Sequence, residues 1–273
     1  MTTESTETLT DKTIADFGEQ WSRYTDNEGD LYGDKALLAD VLGPLMDPRE
    51  IEGKAVAEIG AGTGRIVRMM LDWGAATVVA VEPSDAVHAL RENTRAFGDR
   101  VRVVHARGQD IPRDLGLDLV VSIGVLHHVP DPAPIVRAAF EAIAPGGRMV
   151  VWLYGHEGNA LYLAAVRPLR KVTTRLPHPV LERMSQGLNV ALDGYLWACR
   201  RWPRLPLGGY ANHVIGGFSR EKRQLVIYDQ LNPAYAKYYR REEARRLLED
   251  AGFRDVRLHH RHGYSWTVIG TRP

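Results

Sequence analysis

The sequence predicts an α/β fold built on a doubly wound, mostly parallel sheet. Between residues 53 and 155, short apolar runs alternate with segments of helical periodicity. The apolar runs are almost continuous, which is typical of parallel strands covered by helices on both faces. Because crossovers between parallel strands are right-handed, the helices are expected to lie on both sides of the sheet.

Seven strands are predicted along the chain. Five lie in the alternating region, over Val56–Ile59, Thr77–Val81, Val101–His105, Leu117–Ile123 and Arg148–Leu153. The helices between them cover Arg65–Trp73, Asp85–Phe97 and Pro132–Ala144. Near the end of the chain, a helix over Arg241–Ala251 precedes the strands Val256–His260 and Ser265–Gly270. The short break between these two strands predicts a tight return, so the last strand is expected to be antiparallel.

The remaining segments flank this core. Residues 1–12 are polar and without period, and we expect them to be disordered. Residues 13–52 are predicted to form an N-terminal helical cap. After the core of residues 53–154, residues 155–238 contain six prolines and helical patches, which indicates a mainly helical cap insertion. Residues 239–273 then complete the sheet.

Composition excludes several classes of protein. The chain has 35 Lys and Arg against 34 Asp and Glu, so it lacks the positive charge of a nucleic-acid-binding protein. Its single cysteine, Cys199, cannot form a disulfide within the chain. No secretory leader or apolar run of about 18 residues is visible. We therefore expect a soluble cytoplasmic protein with a small-molecule partner. The sequence does not fix the oligomeric state, and a homodimer is compatible with it.

A glycine-rich turn follows the first predicted strand. Glu58 ends the strand, and Gly60, Gly62 and Gly64 follow at alternate positions. Such a turn lets the backbone approach a ligand closely, with the amides of the next helix pointing at it. A dinucleotide-binding turn would place its third glycine one position later, where this chain has Arg65. A tight turn needed only for packing is the alternative.

Two later strand ends also carry acidic residues. Glu82 ends the second strand, where a carboxylate can accept hydrogen bonds from both hydroxyls of a ribose. After the third strand, Gln109 and Asp110 precede Ile111, a pattern suited to the amino group and ring face of adenine. The carboxyl ends of parallel strands share one edge of the sheet. Together with the glycine turn, these residues predict a nucleoside-containing ligand at that edge.

The motifs along this edge are Glu58-Ile-Gly-Ala-Gly-Thr-Gly64, Val81-Glu-Pro-Ser84, Gln109-Asp110 and Ser122-Ile-Gly-Val-Leu-His-His-Val-Pro-Asp131. With these motifs, residues 53–154 resemble the class I S-adenosylmethionine-dependent methyltransferases. The resemblance implies S-adenosyl-L-methionine as cofactor and a strand order of 3-2-1-4-5-7-6 with strand seven reversed. The cofactor contacts that it implies are Tyr24, Glu58, Gly60, Gly62, Gly64, Glu82, Gln109, Asp110 and Ile123. The alternatives are a dinucleotide oxidoreductase and a sheet that has lost its cofactor.

The N-terminal aromatic residues leave two interpretations open. Phe17, Trp21 and Tyr24 lie at helical spacing. By the same resemblance, Trp21 and Tyr24 close over the cofactor, with Tyr24 reaching its methionine carboxylate. The alternative is that this aromatic stripe only packs a helix onto the sheet.

Four residues are candidates for activating an acceptor. The cofactor carries the activated methyl group, so the protein must position a nucleophile and, for a hydroxyl, remove its proton. The candidates are His128 after strand four, His156 and Glu157 after strand five, and Asp229 where the insertion returns to the sheet. The alternative is a structural or cofactor-facing role for His128 and a turn for the others. A magnesium ion held by some combination of His128, Glu157 and Asp229 is a further hypothesis.

The predicted cap insertion is the candidate acceptor region. Residues 155–238 carry 12 Lys or Arg against 5 Asp or Glu, together with Trp197, Trp202 and several tyrosines. Arginine and aromatic side chains suit a saccharide or an acidic metabolite. A basic amphipathic surface that touches lipid and a merely solvated basic face are the alternatives.

The second half of the chain also shows a family resemblance. Trp152–Asn159, Tyr228–Tyr239 and Gly263–Gly270 resemble bacterial methyltransferases of saccharide and secondary-metabolite pathways. We therefore expect O-methylation of a sugar or glycoside hydroxyl, and the excess of arginine over lysine suggests an actinobacterial pathway. N- or C-methylation of a small metabolite is the second hypothesis. A nonenzymatic cofactor-binding subunit is the third.

Overall fold

The structure is a computed structural model that describes residues 3–23, 25, 34–174, 176–202, 204–206, 208, 211, 215–232 and 235–273. Of the predicted cofactor contacts, Tyr24 lies outside the described residues. The chain divides into two compact units. The first comprises Met1–Asn27, Gly33–Asn159 and Tyr235–Pro273, and the second comprises Glu28–Tyr32 and Ala160–Ala234.

The first unit contains a seven-stranded sheet. Its strands are β1 Ala55–Ile59, β2 Thr77–Glu82, β3 Val101–His105, β4 Leu117–Ile123, β5 Ile143–Tyr154, β6 Arg254–Arg261 and β7 Ser265–Thr271. Their order is β3-β2-β1-β4-β5-β7-β6. The pairs among β1 to β5 are parallel, and β7 is antiparallel to β5 and β6. The predicted fold class, strand order and reversed last strand are confirmed.

The described helices, in chain order, are α1 Thr3–Arg23, α2 Lys35–Leu42, α3 Arg65–Asp72, α4 Val87–Thr94, α5 Ala133–Ala142, α6 Ala160–Thr173, α7 His178–Arg201, α8 Arg220–Leu231 and α9 Arg241–Glu249. Short 3₁₀ turns at Gly108–Asp110 and Leu126–His128 follow β3 and β4.

Helices cover both faces of the sheet, and the strands are therefore buried on both sides. Val78 of β2 belongs to a buried cluster that includes Met70 of α3. The next residue, Val79, points to the opposite face and belongs to a cluster that includes Val136 of α5 and Leu248 of α9. This two-sided burial explains the nearly continuous apolar runs in the sequence.

The predicted disorder of residues 1–12 is wrong from Thr3 onward, because α1 begins there. Arg107, which follows β3, forms ion pairs with Asp11 and Glu7 of this helix. Thr13, two residues beyond Asp11 in the same helix, is buried. Contacts to distant residues thus order a segment whose polar composition alone predicts no structure.

The second unit contains α6, α7 and α8. Asn189 of α7 donates a 2.7 Å hydrogen bond to the carbonyl of Arg220 in α8. Tyr162 of α6 donates one of 2.6 Å to the side chain of Gln230 in α8. The main stretch of this unit is Ala160–Ala234, and the predicted insertion bounds of 155 and 238 stay a prediction. Its role in binding the acceptor stays a prediction. Within the described part of the chain, no helix is long and apolar enough to cross a membrane.

Candidate cofactor and active site

The glycine turn after β1 adopts the backbone conformation that favours glycine. Gly60, Gly62 and Gly64 have φ angles of 79°, 53° and 89°. A Cβ atom on Gly60 would lie 2.4 Å from the side chain of Val125, so this glycine is also required by packing. A Cβ atom on Gly62 would meet only the indole of Trp21, at 3.8 Å or more. Gly62 is therefore the position of the turn where a ligand can approach the backbone.

Glu82 at the end of β2 is held against this turn. Its Oε2 atom accepts a hydrogen bond from the Gly62 N–H at 2.8 Å, and its Oε1 atom accepts one from the Ser84 N–H at 2.9 Å. The Ser84 hydroxyl also donates to Oε1. Burial raises the pKa of Glu82, and these hydrogen bonds oppose that shift. A carboxylate has about four acceptor sites. Glu82 is thus oriented by the turn and can still accept from a ligand hydroxyl.

Glu58 at the end of β1 carries a buried acceptor atom that has no partner among the described residues. Its side chain is 2% exposed, and among the described residues nothing donates a hydrogen bond to Oε2. Burial raises the pKa of this carboxyl well above its usual range, and the nearby Glu82 adds to the shift while Arg65 opposes it. An unsatisfied buried oxygen destabilises the protein unless a ligand donor reaches it.

S-adenosylmethionine fits these strand ends. It brings an ammonium group, two ribose hydroxyls and an adenine amino group, which are all hydrogen-bond donors. Glu58 and Glu82 present acceptors on either side of the glycine turn. Gln109 and Asp110 lie in the 3₁₀ turn after β3, where Gln109 is half-buried and Asp110 is exposed. Ile123 is the half-buried last residue of β4. The individual cofactor contacts stay predictions.

Helix α1 lies against the same strand ends. A Cβ atom on Gly18 would be 3.2 Å from the Cβ atom of Ser84, and the Trp21 indole lies over Gly62. Asn93 of α4 donates hydrogen bonds to the carbonyls of Thr63 and Thr25, at 2.9 and 3.0 Å. Trp21 therefore packs helix α1 at the glycine turn, and its contact with the cofactor stays a prediction.

His128 lies in the 3₁₀ turn after β4 and is 3% exposed. Its Nδ1 atom is 2.8 Å from the backbone carbonyl of Tyr235. Because a carbonyl can only accept, Nδ1 must carry the proton, and the lone pair of the neutral ring is on Nε2. The structure therefore fixes the tautomer in which Nε2 can act as a base.

Aromatic rings surround the two histidines after β4. His127 stacks on Tyr154 at the end of β5, with ring centroids 3.7 Å apart. Tyr154 stacks in turn on Tyr238, at 5.4 Å. The edge of Phe17 in α1 meets His128 at 4.9 Å. We call Phe17, His127, His128, Tyr154 and Tyr238 the aromatic cluster.

The other predicted catalytic residues of the first unit have structural contacts. Glu157 accepts hydrogen bonds from the first N–H of α9, that of Arg241, at 3.1 Å and from the Trp266 indole at 3.2 Å. Burial raises the pKa of Glu157, but these bonds outweigh it and the net pKa is lowered. A carboxylate at a helix N-terminus is stabilised as an anion, which makes it a weak base. The backbone N–H of His156 donates to the carbonyl of Tyr239 at 2.8 Å.

Asp229 is half-buried in α8 of the second unit. No three His, Cys, Asp or Glu side chains of the described residues are grouped closely enough to hold a metal ion. A magnesium ion held by His128, Glu157 and Asp229 is therefore not supported. The catalytic roles of His156, Glu157 and Asp229 stay predictions.

Sequence reasoning missed the residues that orient His128. Tyr235 holds the ring through its backbone carbonyl. Every residue has such a carbonyl, so the residue type at position 235 does not indicate the contact. Tyr154 and Tyr238 were detectable only as aromatic residues next to the predicted end of strand five and in the returning segment. Their pairing depends on the extended stretch before α9, where the Tyr239 N–H donates to the carbonyl of Tyr154 at 2.8 Å.

The strand order with its reversed β7 and the acidic ends of β1 and β2 beside a glycine turn define a class I S-adenosylmethionine-dependent methyltransferase. A family model described as a methyltransferase domain matches residues 34–258. The chain belongs to this methyltransferase family.

Curated relatives of the same class match part of the chain. An uncharacterized methyltransferase of Mycobacteroides abscessus is 30% identical over 183 residues, which cover 62% of this chain and 70% of the relative. A ubiquinone biosynthesis O-methyltransferase of Alkalilimnicola ehrlichii is 28% identical over 149 residues, which cover 51% of this chain and 58% of the relative. The chain thus spans less than two thirds of the second relative.

Solved structures share the fold. The 1,6-didemethyltoxoflavin-N1-methyltransferase of Burkholderia thailandensis has a TM-score of 0.54 at 15% identity, covering 98% of this chain and 89% of that chain. The pyocyanin biosynthetic protein PhzM has a TM-score of 0.53 at 15% identity, covering 87% of this chain and 55% of that chain. At these identities the likeness shows the fold alone.

Proposed function

We propose that this methyltransferase methylates a hydroxyl group of a small-molecule acceptor, a sugar or glycoside. The observation that supports O-methylation is the orientation of His128, whose Nδ1 proton is donated to the Tyr235 carbonyl. A hydroxyl acceptor must lose a proton as it reacts, whereas a neutral amine needs no strong base. With Nδ1 protonated, the neutral ring carries its lone pair on Nε2, at the strand end next to the glycine turn, and this nitrogen is the proposed base.

The reaction conserves atoms and charge. When bound, S-adenosylmethionine would supply a methyl group carried by a sulfonium sulfur. Transfer of this group to the acceptor oxygen would leave the electron pair of the broken carbon–sulfur bond on sulfur. His128 takes the hydroxyl proton on Nε2. The carbonyl of Tyr235 accepts from Nδ1 and stabilises the resulting imidazolium. No metal is required in this scheme.

The aromatic cluster supports the proposed acceptor class. Aromatic rings are typical of saccharide-binding sites, where they pack against the C–H face of a sugar, and tyrosine hydroxyls such as that of Tyr238 can bind polar groups. The M. abscessus relative agrees with a bacterial, actinobacterial source. The ubiquinone relative, named as an O-methyltransferase, agrees with a hydroxyl acceptor.

The test is product analysis with methyl-labelled S-adenosylmethionine. The purified chain is incubated with matched panels of saccharides, phenols and amines, and the labelled product is identified by NMR. The expected product is a saccharide methyl ether. Label on nitrogen or carbon would support N- or C-methylation instead. Cofactor binding by calorimetry without turnover on any panel would support a nonenzymatic subunit.

A further inference from the structure

Helix α7 exposes apolar side chains on the side opposite its core. Val180, Val190 and Trp197 on this helix are 46%, 56% and 66% exposed, and Trp202 just after it is 54% exposed. A helix turns by roughly 100° per residue, which places Val180, Val190 and Trp197 on one side. The small exposed residues Gly187, Ala191 and Gly194 lie between them. We call this surface, with Trp202, the α7 outer face.

A different side of α7 packs into the core of the second unit. Leu181, Ser185, Asn189, Leu196 and Cys199 are buried at helical spacing. The apolar side chains of the outer face are therefore additional to those that fold the second unit. Exposed apolar side chains grouped on one side of a helix indicate an interaction site.

The polar residues around the outer face are mainly arginines. Arg183 lies on the face, and Arg200, Arg201 and Arg204 surround its tryptophan end, all four exposed. The acidic Asp193 is held by α8, where it pairs with Arg223 at 2.7 Å and with Arg220 at 3.5 Å. The partner of this face should thus combine an apolar interior with negative charge at its surface.

We propose that the α7 outer face binds the surface of an anionic lipid bilayer. The rings of Trp197 and Trp202 meet edge to face with centroids 5.9 Å apart, and tryptophan prefers the boundary between headgroups and acyl chains. The valines bury in that boundary, and the arginines contact lipid phosphates. This assigns the two tryptophans to a lipid surface rather than to the acceptor. The inference does not depend on the proposed acceptor.

The first experiment compares sedimentation of the full chain with vesicles of phosphatidylcholine alone and with added phosphatidylglycerol. The parent protein should bind the anionic vesicles and release at high salt, because charge attraction is screened. The double variant W197S/W202S should bind roughly ten-fold more weakly. Leu188→Ser is the matched control, because Leu188 is 38% exposed on the same helix but points away from Trp197. It should bind like the parent.

A charge variant tests whether the arginines contact lipid phosphates. R200Q/R201Q/R204Q should weaken binding to anionic vesicles by roughly five-fold per arginine and leave the weak binding to neutral vesicles unchanged. Circular dichroism should show that each variant keeps the helix content of the parent. Equal sedimentation of parent and W197S/W202S, or no binding to anionic vesicles, would overturn the proposal. So would a lipid-free dimer that W197S/W202S dissociates, because a second copy would then cover the face.

Discussion

His128 donates its Nδ1 proton to the backbone carbonyl of Tyr235 at a distance of 2.8 Å. The two residues are more than a hundred positions apart in the chain, and the bond joins the turn after β4 to the stretch before α9. Because a backbone carbonyl can only accept a hydrogen bond, it fixes the tautomer of the neutral His128 ring. The lone pair on Nε2 is the feature on which the proposed proton removal depends.

We expect Glu58→Gln to stabilise the cofactor-free protein at neutral pH. The raised pKa of Glu58 means that its contribution to stability is complete below the unfolded pKa, near 4.5, and is lost as the pH rises through the folded value. A neutral glutamine removes this pH dependence and should raise the free energy of unfolding at pH 8 by at least about 1 kcal/mol. Urea denaturation at several pH values measures it.

The same substitution should weaken cofactor binding, because the carboxylate would no longer attract the positive charge of the ligand. Calorimetric titration with S-adenosylhomocysteine provides the second readout. A variant that is less stable than the parent at pH 8 and binds the cofactor normally would show that Glu58 is a structural acid only.

Asp40→Asn should destabilise the first unit. Burial raises the pKa of Asp40, but Arg261 and His262 outweigh it and the net pKa is lowered. The stabilisation is therefore present above the unfolded pKa and is lost as the pH falls through the folded value. The Arg261 side chain is only 8% exposed, whereas Asp40 is 42% exposed, so solvent screening limits the expected loss at pH 7 to about 1 kcal/mol.

The control for Asp40 is Glu92→Gln. Glu92 pairs with Arg95 at 3.9 Å, with both side chains more than 70% exposed, and this pair should contribute less than about 0.5 kcal/mol. Thermal denaturation at pH 7 and pH 3 compares the two variants. Equal losses at pH 7 would show that burial of Arg261 adds nothing to the pair.

Substitution of the glycines should separate packing from ligand binding. Gly60→Ala should be strongly destabilising, because its Cβ atom would lie 2.4 Å from Val125. Gly62→Ala should cost only the strain of a positive φ, about 1–2 kcal/mol, yet weaken the binding of S-adenosylhomocysteine at least about ten-fold. Chemical denaturation and calorimetry measure the two effects.

Gly116→Ala is the control for the conformational cost. Its φ angle of 56° matches the 53° of Gly62, and its Cβ atom would meet nothing within 4 Å. It should lose the same stability as Gly62→Ala and bind the ligand normally. If Gly62→Ala also binds normally, the backbone at Gly62 does not approach the ligand.

The sequence predicts the sheet well because two-sided burial determines its residue types. The observed strand bounds lie within two residues of those predicted, except that β5 begins at Ile143 rather than Arg148. There the register with β4 shifts between Leu117 and Leu119, and Gly146 and Gly147 interrupt the apolar pattern. A strand that contains such an irregularity has no simple periodicity to detect.

The parts of the site that depend on distant contacts could not be predicted. Glu58, Glu82 and the glycines are adjacent to predicted strand ends, so their common edge follows from parallel topology. The capping of α9 by Glu157 and the bond from His128 to Tyr235 depend on where the stretch before α9 returns to the sheet. Loop geometry of this kind is set by backbone groups, which residue type does not encode.

The most direct test of the account is His128→Asn. Asparagine keeps a side-chain N–H donor for the Tyr235 carbonyl but has no basic nitrogen in place of Nε2. We expect kcat to fall by about 10²- to 10⁴-fold, because the proposed base is lost, and cofactor affinity to be unchanged. A variant that keeps the parent kcat would contradict the proposed role of His128 as the base.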